Sequence, residues 1–131
     1  MDRKPRRITT AERTVMSEKG ANIGGFGFAG PYMRQELQDR PGVFAIGYVS
    51  PLGSRQWLLV DVRTAESVLA KVDQEAAAES ELWQCWRTSC KGEESRISFL
   101  VCYLDSPMPE LQQMAATILS RYVTLPCSQR G

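Results

Sequence analysis

With 131 residues, 43% apolar and 24% charged, the chain can bury one core and falls in the ordinary globular range. Histidine is absent, which excludes Ser/His/Asp and Cys/His nucleophile systems, an imidazole general base and histidine-bearing zinc sites. A net charge of +1 argues neither for nor against nucleic acid.

The first thirteen residues are less neutral. Arg3, Lys4, Arg6, Arg7 and Arg13 face Asp2 and Glu12, a local balance of +3 that leaves −2 on the other 118 residues. Such an arm can neutralise phosphates, and it is also the composition of a solubilising tail. It lacks the apolar stretch of a secretory signal. No run of about 18 apolar residues follows, so no membrane span is expected. A cytoplasmic setting is therefore predicted, with Cys85, Cys90, Cys102 and Cys127 as free thiols. No C-x-x-C pair gives them zinc spacing.

Thr9-x-x-Glu12 has the form of a capping box and predicts a short helix ending near Gly20. The stretch from Gly20 to Gly30 is too glycine-rich to predict a regular element. Gly25 to Gly30 spell G-x-G-x-x-G, but no strand is predicted before them and a hairpin follows. A dinucleotide site is not expected, and the stretch reads as an adaptable loop. Pro31 suits the first turn of a helix to about Asp39, with Met33 and Leu37 facing the body.

Residues 43–49 and 57–62 are rich in β-branched and aromatic side chains and predict two strands around a Pro- and Gly-bearing turn. Thr64 reads as an N-cap with Glu66 in the first turn, opening a helix over 65–78 whose Val68, Leu69, Val72 and Ala76 recur at helical spacing. A short helix over 81–88 carries Leu82, Trp83 and Trp86. Residues 95–104, apolar on both parities, predict a central strand covered on both faces. The last helix, about 109–123, bears a stripe from Leu111 through Met114, Ala115, Ile118 and Leu119 to Tyr122. Tryptophans 57, 83 and 86 can stack on bases or anchor a core or interface.

From 41 to 127 this order resembles a GIY-YIG nuclease domain. Gly42-Val43-Phe44 stands where that family has glycine-aliphatic-tyrosine, and Leu59-Val60-Asp61 where it has tyrosine-aliphatic-glycine. Lys71 falls at the family's arginine and Ala115 at its metal-binding glutamate; Cys85-Trp86 is similar to a pair in small bacterial members. The resemblance implies an α/β (α+β) fold with a small, mainly antiparallel three-stranded sheet flanked by helices. Residues 1–40 would be a basic, helical extension and 128–131 a tail.

The departures remove chemistry. Phe44 and Leu59 have no hydroxyl, Lys71 lacks the guanidinium fork that matches phosphate, and Ala115 cannot ligate a hard cation. The reading implied is a catalytically inactive binding module acting on nucleic acid or within a nucleic-acid-processing or defence assembly. Arg6, Arg7, Arg63, Lys71, Arg87 and Arg96 are its candidate phosphate contacts. One alternative is an active, divergent endonuclease holding Mg2+ through Asp61 and Glu110. Another is a protein-interaction or inhibitor protein of phage or mobile-element origin. None of the three calls for a nucleotide cofactor.

Overall fold

In the computed structural model the described residues are 12–16, 20–51, 56–122 and 125–128, with backbone alone at 12 and 13. The strongest β pattern in the sequence, Gly42–Val49, becomes a strand buried from Gly42 through Tyr48. A strand apolar on both parities must be covered on both faces, and the rest of the fold supplies that cover.

The strands are β1 (Glu12–Val15), β2 (Ala21–Ile23), β3 (Phe26–Tyr32), β4 (Gly42–Val49), β5 (Gln56–Ala65) and β6 (Ser98–Tyr103). All neighbours run antiparallel in the order β1-β5-β4-β6-β3-β2. The six strands curl almost into a barrel. Among the described residues three helices accompany them: α1 (Val68–Ala78), α2 (Glu81–Ser89) and α3 (Met108–Leu119).

The expected three-stranded sheet is therefore overturned. Its trio β5-β4-β6 exists, but β1 extends one side, and β3 and β2 the other. The glycine-rich stretch is the reason. Gly24 and Gly25 have φ of +59° and +94°, the left-handed pair that a two-residue hairpin turn requires. The Gly25 N–H donates to Asn22 Oδ1 at 3.0 Å. What reads as punctuation is the bend that lets two more strands form.

Other boundaries move for similar reasons. The segment expected to be helical before Gly20 holds β1, paired to β5 from Glu12↔Leu59 to Val15↔Gln56; Thr9 lies outside the described residues. Pro31 ends no loop and opens no helix. It sits in β3 beyond Phe28, the last residue paired to β2, and within the irregularity of the β3–β6 pairing between Ala29 and Tyr32, where a proline is tolerated. Only a 3-10 turn, Arg34–Glu36, remains of the helix expected there. Thr64 stays in β5, and Ser67 caps α1 by accepting from the Ala70 N–H at 3.1 Å.

Two cores result. Phe44, Ile46 and Tyr48 of β4, with Phe99 and Val101 of β6, pack under α1 and α2 against Val68, Val72, Trp83 and Trp86. Val43, Ala45, Trp57, Leu59 and Leu100 pack against Leu111, Ala115 and Ile118 of α3. Each fully buried large side chain is worth about 1.5–3 kcal/mol in transfer from water. The tryptophans are anchors of these cores: Trp57 and Trp86 are 0% exposed and Trp83 2%.

A bulge organises the centre. Ile46 opposes Asp61 while Gly47 opposes Leu59, so Val60 is the extra residue. The parity of β5 flips there. Trp57 and Leu59 face α3, whereas Val60 and Asp61 both lie on the α2 side. Gly47 is required at this point, because an added Cβ would sit 2.1 Å from the Leu58 carbonyl oxygen and 2.8 Å from the Trp57 ring. Gly47→Ala should cost at least about 1–3 kcal/mol, the range for overpacking, read as a drop in the urea midpoint at unchanged m.

Cysteine pairing also departs from expectation. Cys85 of α2 and Cys127 form a disulfide, with Cα atoms 5.9 Å apart. Cys90 and Cys102 are free thiols.

Candidate functional site

The deepest polar cluster forms where the bulge turns Asp61 toward α2. Asp61 is 0% exposed. Its Oδ2 accepts from Trp86 Nε1 and from Arg63 Nε, each at 2.8 Å, and its Oδ1 accepts from the Val62 N–H at 2.8 Å. Arg63 also donates through Nη2 to the Cys127 carbonyl at 2.6 Å. Burial raises the Asp61 carboxyl above its ordinary value, against the opposing pull of Arg63, Trp86 and Val62. Among the described residues no buried side-chain polar atom lacks a partner. The cluster thus joins β5, α2 and the carboxyl-terminal segment, with both carboxylate oxygens hydrogen-bonded.

The positions implied by the nuclease resemblance do not converge. Phe44 is buried on the α2 face, edge-on to Trp86 with centroids 6.3 Å apart. Leu59 and Ala115 belong to the opposite core under α3. Lys71 pairs with Glu75 on α1 at 2.8 Å. Asp61 and Glu110 are separated likewise, since Glu110 is an exposed first-turn residue of α3. No group of three or more acids or cysteines poised for a metal occurs among the described residues.

Each described candidate phosphate contact meets a carboxylate. Arg63 is committed to Asp61, Lys71 to Glu75, Arg87 faces Glu94 at 3.9 Å, and Arg96 bonds Glu93 at 3.1 Å. Arg6 and Arg7 lie outside the described residues. The Cys90 thiol is held at about 12 by burial, so it has no nucleophilic character near neutral pH.

A surface feature absent from the sequence reading is centred on Arg34. Its Nε donates to Asp73 Oδ1 on α1 at 3.0 Å, and its guanidinium carbon lies 5.6 Å from the centroid of the Trp83 ring. The two Nη groups have no partner among the described residues. Arg34 and Gln35 line two adjoining clefts. One, of about 290 Å³, has buried Trp83, Ile97 and Phe99 beneath and exposed Gln35, Glu94 and Ser95 at its edge. The other, of about 330 Å³, is completed by Leu69 and Asp73. No local pattern announces this site, because Arg34 and Asp73 are 39 residues apart. A wider groove of about 560 Å³ runs past Val15, Ala21 and Phe28.

The chain matches no known protein family, curated protein or solved structure. Among the described residues no helix is long and apolar enough to cross a membrane.

Proposed function

We propose that this chain is a non-catalytic binding module that engages a protein partner through the face carrying Arg34. The observation that supports this reading is the paired cleft itself. Half-buried Met33, over the buried Trp83, Ile97 and Phe99, gives the cleft an apolar base beneath a rim bearing both charge signs. Protein contact sites combine an apolar pocket for an anchor side chain with a polar surround in this way.

Nucleic acid is the second reading, favoured by the +3 balance of residues 1–13. Against it, phosphates would compete with Asp61, Glu75, Glu94 and Glu93 for Arg63, Lys71, Arg87 and Arg96. The disulfide favours an oxidising compartment over the cytoplasmic setting expected from sequence.

Selection from a displayed random-peptide library tests the first reading. Binders are expected whose capture is lost with Gln35→Trp, a substitution at an exposed residue shared by both clefts. Binding to single- and double-stranded DNA across a salt series tests the second. Steep salt dependence that disappears with Arg6→Ala/Arg7→Ala, with no peptide recovered, would replace the protein-partner reading with the nucleic-acid one.

A further inference from the structure

We propose that the Cys85–Cys127 disulfide is a redox latch. A dithiol opens it in the folded chain, and residues 125–128 then leave the Asp61 cluster while the two cores stay closed. Leu125 enters the core under α3 and Cys127 the core under α2, so the segment crosses from one to the other at the β5 bulge. Besides the disulfide, it is held by the buried Leu125 side chain, by the Cys127 N–H on the Val60 carbonyl at 3.3 Å, and by Arg63 Nη2 on the Cys127 carbonyl at 2.6 Å. Arg63 also bonds Asp61, which accepts from Trp86 on the helix that carries Cys85. Release of the segment is therefore felt at Asp61 and Trp86. The cores keep their sheet-to-helix contacts without it, Phe44 and Phe99 against Val72 and Trp83 on one side, Trp57 and Leu100 against Leu111 and Ile118 on the other.

The two sulfurs differ in access, which sets the direction of exchange. Cys127 is 0% exposed and Cys85 is half-buried, so an incoming thiolate meets Cys85 Sγ first. Ser89 Oγ lies 3.6 Å from Cys127 Sγ. A disulfide sulfur has no proton, so the hydroxyl is the donor of this pair, and it is in place to stabilise the Cys127 thiolate as it leaves. The thiolate of the dithiol attacks Cys85 Sγ, the bond between the two cysteine sulfurs breaks, and Cys127 departs as the thiolate. The second thiol of the reductant then displaces Cys85 from the mixed disulfide. Two electrons and the two protons of the dithiol end on Cys85 and Cys127, and the reductant is left as a disulfide. Cys90 is 0% exposed, with its thiol pushed up to about 12 by burial, and Cys102 packs against the other core. Neither serves as an internal second thiol, so the reductant must bring both.

The test treats the full chain with dithiothreitol and follows hydrogen exchange of the indole N–H groups and the Cys127 amide by NMR, with thiols counted by mass spectrometry. Two thiols should be gained without any denaturant. The Trp86 indole and the Cys127 amide should then exchange at least about tenfold faster. The Trp57 indole, bonded to Ser98 Oγ at 2.8 Å in the other core, should keep its rate. Reoxidation should restore the original rates, and Cys85→Ala/Cys127→Ala should show the fast Trp86 exchange with or without reductant. Glutathione, a monothiol, should first form its mixed disulfide on Cys85. Ser89→Ala should slow reduction about threefold to tenfold, with an unchanged Trp86 rate in the oxidised variant showing that the fold is kept.

Reduction that requires urea would overturn the proposal, because the bond would then be a staple that only the unfolded chain exposes. So would unchanged exchange at Trp86 and Cys127 once two thiols are counted. Acceleration of the Trp57 indole to the same degree would overturn it as well, since the whole domain rather than one segment would be opening. Glutathione found on Cys127, or a Ser89→Ala rate equal to that of the wild type, would overturn the assigned direction of exchange.

Discussion

Replacing Asp61 by alanine should destabilise the fold by roughly 3–5 kcal/mol, the cost of breaking a buried ion pair from one side. The substitution removes the acceptor for Trp86 Nε1, Arg63 Nε and the Val62 N–H at a position that is 0% exposed. Arg63 keeps its charge at 18% side-chain exposure and its bond to the Cys127 carbonyl, but loses the carboxylate opposite its Nε. Equilibrium urea unfolding followed by tryptophan fluorescence reads the loss. A change under about 1 kcal/mol would show that water reaches the cluster and replaces the carboxylate.

The same residue has a pH signature with a defined sign. Burial lifts the Asp61 carboxyl above its ordinary 3.8, so the folded chain keeps that proton to higher pH than the unfolded chain does. Stability from the protonated form is full below the unfolded value and is lost as pH rises through the folded one. Glu75 behaves in the opposite sense. Burial alone would raise it, but its bonds from Lys71 and Ser80 prevail and hold it below its ordinary 4.5. Its contribution is present above that value and fades as pH falls through the folded one. The stability difference between the wild type and Glu75→Gln should accordingly be constant above about pH 5 and shrink in acid, while the Asp61 carboxyl carbon titrates above 3.8 in NMR.

How much of this was legible depends on the distance over which each feature is decided. The cores of β4, β5, β6, α1, α2 and α3 follow from local periodicity, and their ends shift only where tertiary pairing intervenes. Ala65, for instance, stays in β5 because Gly42 opposes it. β1, β2 and β3 were missed because a short polar strand such as Glu12–Val15 has no signature without its partner. The glycines of the β2–β3 turn look like an absence of structure in sequence, yet positive φ at Gly24 and Gly25 is what the hairpin needs. The nuclease resemblance then limited the expected sheet to three strands.

The site was less legible still. The strand parity of β5 depends on one extra residue at Val60, and without that bulge Asp61 would point into the α3 core with Leu59. A carboxylate on an apolar strand gives no sign of which side it will face. Arg34 is likewise an ordinary cation in sequence. Its place over Trp83 depends on a strand, a 3-10 turn and two helices arriving together.

Opening the Cys85–Cys127 bond should produce the second large effect. The bridge closes a sequence separation of 42 residues, for which loop-closure entropy gives roughly 4 kcal/mol and a fall in Tm of about 10–20 °C. The double variant Cys85→Ala/Cys127→Ala should melt at the temperature of the reduced wild type and show no further response to reductant. An unchanged Tm in reductant, with mass spectrometry confirming two free thiols gained, would mean that packing alone holds the carboxyl-terminal segment. That packing is substantial: Leu125 is 1% exposed in the α3 core, and the Cys127 N–H donates to the Val60 carbonyl at the bulge, 3.3 Å away. Arg63 connects this segment to Asp61, because it bonds the Asp61 carboxylate through Nε and the Cys127 carbonyl through Nη2. Once the tail is free, Arg63 can reach water, and the carboxylate it leaves behind is worth less to the fold. The two losses should therefore be less than additive in a double-mutant cycle, with a coupling of about 0.5–3 kcal/mol. Strict additivity would mean that the disulfide and the buried ion pair stabilise independent parts of the chain.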